Sequence, residues 1–292
     1  MIDVLLPFYG DPDLMRLAVR SVLAQRSRDF RLVVVDDGYP DPTVAAWFKE
    51  LGDGRVEYHR NSTNLGANQN YVRALGLATA ENVVVMGADD VMLPHYLETV
   101  REALTRFPEA ALVQCGVEVI DGNGKVVLPI VDRLKRRLTP HPRDVALLRG
   151  EDLMVSLLHG NWTYFPSLCW RTEVVRSIGF RPDFHVVQDL GLLMDVLLEG
   201  GALALHPAVA FRYRRHAGSD SAMKTVGGSR FEEERRYFGT IAAELDRRGL
   251  RRAARAARGH VTSRLHAVAL LPVAARNRDH PAVARLLRHA TR

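Results

Sequence analysis

Short apolar runs alternate along the chain with segments whose apolar residues recur at helical spacing. Ile2 to Pro7 is a continuous apolar strand. From Asp13 to Gln25 the apolar positions are Leu14, Leu17, Ala18, Val22 and Leu23, the spacing of an amphipathic helix with Asp11 or Asp13 available as its cap. Arg31-Leu32-Val33-Val34-Val35 is a second apolar run, closed by Asp36-Asp37-Gly38. Strand, helix and strand make one βαβ unit with parallel strands. Val44 to Leu51 predicts another helix, Val56 to His59 a third strand, and Tyr71 to Ala80 a helix before the run Val83-Val84-Val85-Met86. That run stops at Gly87-Ala88-Asp89-Asp90. The alternation predicts a doubly wound α/β sheet, in which ligands bind at the carboxyl ends of the strands, where these aspartates emerge.

Past a helix from Pro94 to Phe107, Ala111 to Ile120 reads as a strand, and the turn Asp121-Gly122-Asn123-Gly124 returns it as a hairpin through Val126 to Leu128. Pro129 to Arg143 is proline-rich and basic without a clear period, and is expected to be a loop, either a lid or a plain solvated connection. Glu151 to His159 predicts a helix, Asn161 to Pro166 an aromatic loop and Ser167 to Arg171 a short strand. Asp189 stands at the start of the apolar helix 190–198, where a carboxylate caps exposed amides. Ala202 to Leu205 and Val209 to Tyr213 predict two more strands, and the chain from Phe231 is helical, interrupted at Gly249, Gly259 and Pro272.

Composition narrows the function. The 292 residues carry a net charge of +6, but the arginines crowd the tail rather than interleaving with aromatics, so nucleic acid is not the expected partner. A solvated helical face explains that tail, with peripheral contact to an anionic membrane as the alternative. Cys115 and Cys169 match no zinc or redox spacing and read as buried thiols of a reducing compartment. Without a basic leader or an apolar run of about 20 residues, a cytoplasmic protein is expected.

Two adjacent carboxylates repel each other, and a divalent cation (Mn²⁺ or Mg²⁺) shared with an anionic substrate relieves that repulsion. A cap on the following helix is the plainer use of Asp89 or Asp90. No Gly-x-Gly-x-x-Gly or phosphate-cradling lysine loop follows any strand, so dinucleotide and P-loop chemistry lack their signature. Sugar nucleotides are one class of anionic substrate that such a cation would serve.

Taken together, Val4 to Tyr9, Val35-Asp36-Asp37-Gly38, Asn64-Leu65-Gly66, Ala88-Asp89-Asp90, Gln188-Asp189 and Tyr213-Arg214-Arg215-His216 occur in an order that resembles family 2 glycosyltransferases. The resemblance implies a GT-A fold: α/β, with a Rossmann-like, mixed, mostly parallel sheet flanked by helices. It implies inverting transfer of a hexosyl-type sugar from a UDP- or dTDP-linked donor. The transferase domain would span residues 1–225, with a nucleotide-binding half (1–110) and an acceptor-side half (111–225), followed by a helical C-terminal extension (226–292). Pro7 and Tyr9 would lie against the base, and Asp37, beside Asp36, would accept its imide N–H. Asn64 and Gly66 would line the donor pocket. Asp89 would touch the ribose, Asp90 and His216 the metal, and Arg214 and His216 the diphosphate. Asp189 would be the catalytic base. The acceptor is a glycan, a lipid-linked glycan or a small-molecule aglycone.

Two departures stand out. Gly87 occupies a position where many members carry a further aspartate, and Asn70-Tyr71-Val72 replaces an Ala-Arg-Asn group, leaving Arg73 as the substitute cation. Rival readings are a sugar-nucleotide nucleotidyltransferase, whose glycine-rich basic opening is absent from Pro7-Phe8-Tyr9-Gly10, and a non-catalytic carbohydrate-binding protein on a degenerate transferase fold. Trp162, Tyr164, Phe165 and Trp170 serve either as core or as an acceptor platform.

Overall fold

A computed structural model describes residues 1–216, 229–277 and 279–291. The expected domain boundary at 225/226 lies outside the described residues. Strands β1 (Ile2–Phe8), β2 (Phe30–Asp36), β3 (Val56–Arg60) and β4 (Asn82–Val85) are parallel, in the order β3-β2-β1-β4. They are joined by α1 (Pro12–Leu23), α2 (Thr43–Leu51) and α3 (Ala67–Leu77). Asp11 caps α1, accepting from the amides of Asp13 and Leu14 at 2.8 and 3.2 Å. Because helices cover both faces, β1, β2 and β4 bury nearly every residue, which is why they read as unbroken apolar runs. At about 1.5–3 kcal/mol for each fully buried Val or Leu, this centre anchors the fold.

The sheet continues through β5 (Val91–Met92), β6 (Leu112–Ile120), β7 (Ala146–Arg149), β8 (Leu168–Arg171) and β9 (Ala202–Arg214). Strand β8 runs antiparallel between β4 and β6, β6 and β9 are parallel, and β5 and β7 pair antiparallel with opposite ends of β9. The sheet is therefore mixed and mostly parallel, as expected. Four helices flank this half: α4 (Tyr96–Arg106), α6 (Gly150–His159), α7 (Thr172–Ile178) and α8 (Gln188–Leu198). Cys115 and Cys169 are buried free thiols, both pushed up to about 12 by burial.

Three expectations need correction. The two strands expected at 202–205 and 209–213 are one, interrupted only by a register shift opposite Gln114 to Val117. Strand β7 was not anticipated. The expected loop 129–143 contains helix α5 (Ile130–Leu138). Its period was hidden because, apart from Leu138 at its end, its inward positions are polar, with Asp132 buried, while Ile130, Val131 and Leu134 point to solvent.

The C-terminal segment forms α9 (Ser229–Arg247), α10 (Arg251–Gly259), α11 (Val261–Arg276) and α12 (His280–Thr291). Tyr237, Phe238, Ile241 and Leu245 of α9 and the alanines of α10 belong to the same core as Trp162, Trp170 and the apolar residues of α8. This arginine-rich stretch thus packs on the sheet domain through its apolar positions. No helix among the described residues is long and apolar enough to cross a membrane.

Candidate active site

The carboxyl ends of β1, β2 and β4 bring together most of the residues singled out in the sequence. Asp36 and Asp37, where β2 ends, are 1% exposed. Asp36 accepts from the Tyr39 amide at 2.7 Å and from the Tyr58 hydroxyl, closing the turn in which Gly38 adopts φ +74°. Asp37 Oδ1 accepts from Asn61 Nδ2 at 2.7 Å and from the Leu65 amide at 2.8 Å, and Oδ2 accepts from the Gly66 amide at 2.9 Å. Asn64 closes the same turn by accepting the Gly66 amide at 2.9 Å. The Asn64-Leu65-Gly66 motif is thereby clamped to the end of β2. Buried Asn61 and Asn70 complete the clamp through a 3.0 Å bond between them and a 2.9 Å bond from Asn70 to the Val35 carbonyl. Pro7 is half-buried at the end of β1, and Tyr9 is exposed with its ring edge-on to Tyr39 at 5.6 Å.

At the end of β4, Asp90 is buried. Its Oδ1 accepts the Arg214 amide at 2.8 Å, while Oδ2 has no hydrogen-bond partner among the described residues. Burial, reinforced by the Asp89 carboxylate, pushes the Asp90 carboxyl well above the usual range. Asp89 Oδ2 lies 3.0 Å from His216 Nε2. A Cβ on Gly87 would sit 2.5 Å from Asp90 Oδ2 and 3.0 Å from Asp89 Oδ1. No side chain fits there in this arrangement, so Gly87 follows from how closely the carboxylates pack against the backbone.

Neither aspartate caps the following helix, whose N-terminal position is His95. Among the described residues no three His, Cys, Asp or Glu side chains converge as a ready metal cage. A cation held by one or two carboxylates and completed by substrate phosphates needs no such cage, and the orphaned, buried Asp90 oxygen beside Asp89 and His216 fits that donor set. Arg214 is turned inward rather than toward an anion. It is 3% exposed and donates to the carbonyls of Asp89, Asp121 and Gly122, tying the Asp89 loop to the β6 hairpin turn.

Asp189 occupies the first turn of α8 without capping it in the expected way. The cap position is Val187, and the free amides of His185, Val186 and Val187 are taken by Glu233 of α9 at 2.5–3.0 Å. Asp189 Oδ1 accepts its neighbour's amide, that of Leu190, at 2.8 Å, and Oδ2 accepts Asn161 Nδ2 at 3.0 Å. Burial raises the Asp189 carboxyl above its ordinary value, opposed by the Leu190 amide and by the charge of Lys135. Lys135 extends inward from α5, donates to the Thr163 carbonyl at 2.8 Å and lies 4.4 Å from the Tyr164 ring centroid. Burial pulls its ammonium down to about 8.

From the same face of α5, Asp132 accepts from Arg215 at 2.5 and 2.8 Å and from the Tyr164 hydroxyl at 2.8 Å. Arg215 adjoins His216. A continuous chain of contacts therefore runs from Asp89 through His216, Arg215, Asp132 and Tyr164 to the Thr163-Asn161 segment that holds Asp189. The sequence reading missed Lys135, Asp132, Asn161, Asn61 and Tyr39. Only Asn61, directly after a strand, and Asn161, opening the aromatic segment, carried any signal. Trp162 and Trp170 are fully buried core residues. Tyr71 packs edge-on against Phe165 at 6.2 Å, and Arg73 is exposed on α3.

Comparison with known proteins gives this arrangement a context. The family described as Glycosyl transferase family 2 matches residues 3–156, just over half of the chain. Asp189 and His216 lie beyond that match. A glycosyltransferase of unassigned activity from Nostoc sp. is 29% identical over 185 residues, 61% of this chain and 52% of its own. A Mycobacterium tuberculosis protein is 25% identical over 241 residues, covering 79% of this chain and 72% of its own. Among solved structures, residues 1–349 of S. aureus TarS in complex with UDP-GlcNAc superpose with a TM-score of 0.64 at 18% identity, over 84% of this chain and 66% of that one. The chain spans about half the length of several curated relatives it matches.

Proposed function

Because the chain belongs to glycosyltransferase family 2 and has the GT-A fold, we propose that it moves a sugar from a UDP- or dTDP-linked donor to an acceptor hydroxyl with inversion, Asp189 acting as general base. The observation that carries this reading is the contact chain joining the Asp89–His216 pair to the Asp189 segment. That chain of hydrogen bonds and adjoining residues supports reading His216 and Asp189 as parts of one site. The TarS complex with UDP-GlcNAc supports a uridine donor.

In this mechanism the base lies against Pro7, Tyr9 and Tyr39. Asp37 Oδ2, with a single protein donor among the described residues, can accept the imide N–H that uracil and thymine offer and adenine lacks. Asn64 and Gly66 line the same pocket, held by Asp37. Asp189 removes the acceptor hydroxyl's proton as the acceptor oxygen attacks the anomeric carbon and the bond to the diphosphate breaks. Its raised pKa brings the carboxyl nearer working pH, and Asn161 fixes the orientation of Oδ2. Mn²⁺ or Mg²⁺ held by Asp90 and His216 would supply positive charge for the departing nucleoside diphosphate, with Asp89 against the ribose. Arg214 positions those ligands from behind. The acceptor is a glycan, a lipid-linked glycan or a small aglycone carrying a free hydroxyl.

Calorimetric titration of UDP, dTDP and ADP with Mn²⁺ present tests the donor side. UDP and dTDP should bind and ADP should not, and Asp90→Ala should abolish the cation dependence. Equal binding of all three nucleotides, or full cation-dependent binding by Asp90→Ala, would overturn the assignment.

A further inference from the structure

Helix α5 has two faces of different chemistry. Inward, Asp132 and Lys135 reach the site around Arg215 and Asp189. Outward, Ile130 is 81% exposed, and Val126, Leu128, Val131 and Leu134, on the same continuous stretch of chain, are each at least 39% exposed. Scattered exposed apolar residues need no explanation, but five within nine consecutive positions make a patch.

Arg133, Arg136 and Arg137 are exposed beside it, and among the described residues none of them pairs with a carboxylate. At 100° per residue, Ile130, Leu134 and Val131 occupy one sector of the helix. Arg137 and Arg133 fill the adjoining sector beyond Ile130, on the side away from buried Asp132 and Lys135, and Arg136 lies further round, between Arg133 and Asp132. An apolar strip bordered by unpaired arginines suits a surface that is apolar beneath and anionic on top. A second copy of this chain would have to offer carboxylates against the arginines, and α5's only acid, Asp132, is turned inward.

We propose that the outer face of α5, with the adjoining arm at Val126 and Leu128, is a docking surface for an anionic lipid bilayer. Ile130, Val131 and Leu134 enter the headgroup boundary and Arg133, Arg136 and Arg137 bind the lipid phosphates. Membrane contact is thereby assigned to α5 rather than to the basic C-terminal helices. There Arg252 and Arg258 are already paired with Glu151, Asp152 and Asp246. Because the inner face of the same helix carries Lys135 and Asp132, a docked α5 would hold the acceptor side of the site next to the membrane. Vesicle binding is independent of sugar transfer, so this inference stands or falls apart from the proposed reaction.

The test is flotation of the full chain with vesicles of about one-third phosphatidylglycerol in phosphatidylcholine, and with phosphatidylcholine alone, at low and high salt. The chain should float with the anionic vesicles at low salt and be released as salt rises. Replacing Arg133, Arg136 and Arg137 together by Gln should weaken binding roughly five-fold per arginine, on the order of a hundred-fold in all. Ile130→Asp should abolish it while leaving the melting temperature unchanged, since the side chain touches little in the free protein. In an Ile130→Trp variant the tryptophan emission should shift to the blue on adding anionic vesicles. Four results would overturn the proposal: no flotation at low salt, variants that bind as wild type, an Ile130→Trp emission unmoved by bound vesicles, or loss of binding only on changing Arg251 and Arg255. A concentration-dependent dimer that Ile130→Asp dissolves would assign the face to a second copy instead.

Discussion

Lys135→Met probes both the stability and the chemistry of the site. The ammonium's displacement from 10.5 to about 8 corresponds to about 3 kcal/mol of preference for the neutral amine in the folded state. Below about pH 8 the native protein carries that cost, because folded and unfolded chains are both protonated. Between about pH 8 and 10.5 the unfolded chain binds the extra proton, so stability rises with pH through this window. Methionine removes the charge but leaves the Thr163 carbonyl without its donor, a loss of about 1–2 kcal/mol. The variant should therefore be more stable than wild type by about 1–2 kcal/mol near pH 7 and less stable by a similar amount above about pH 10.5. Urea denaturation at the two pH values measures the difference directly. Removing the charge that opposes burial at Asp189 should also raise that carboxyl further and move the acid limb of kcat/KM to higher pH. A stability difference of the same sign and size at both pH values, or an acid limb that does not move, would refute the reasoning.

Asp90 gives a second pH test. Its folded-state pKa is raised, so ionisation costs stability as pH rises above the ordinary aspartate value, and Asp90→Asn should melt higher than wild type at neutral pH in the absence of cation but not near pH 4. Gly87→Ala should lower stability by about 1–3 kcal/mol, as overpacking does, and weaken nucleotide binding, both readable by thermal shift; an unchanged melting temperature would mean that the carboxylates swing aside freely.

The N-terminal half was legible because β1, β2 and β4 are buried on both faces, so apolar runs ending in Asp36-Asp37 and Asp89-Asp90 announced both a strand and its carboxyl end. Asp189 stood out in the sequence as a carboxylate at a helix start. Its partners did not, since Asn161 and Lys135 lie 28 and 54 positions away and meet it only in the fold. Helix α5 escaped notice for a related reason: a helix whose inner face is Asp132 and Lys135 and whose outer face is Ile130 and Leu134 inverts the pattern by which surface helices are recognised. The α8 cap was equally hidden, because Glu233 arrives from α9, on the far side of the residues that are not described.

The central claim is that Asp189 is the base of a sugar transfer, and release of nucleoside diphosphate from UDP- or dTDP-sugars by wild type and Asp189→Asn, with nucleotide affinity measured alongside, tests it most directly. Asparagine keeps the size of the side chain and an acceptor for the Leu190 amide, so fold and nucleotide affinity should persist while turnover falls about 10²- to 10⁴-fold. Turnover by Asp189→Asn at close to the wild-type rate would contradict the account.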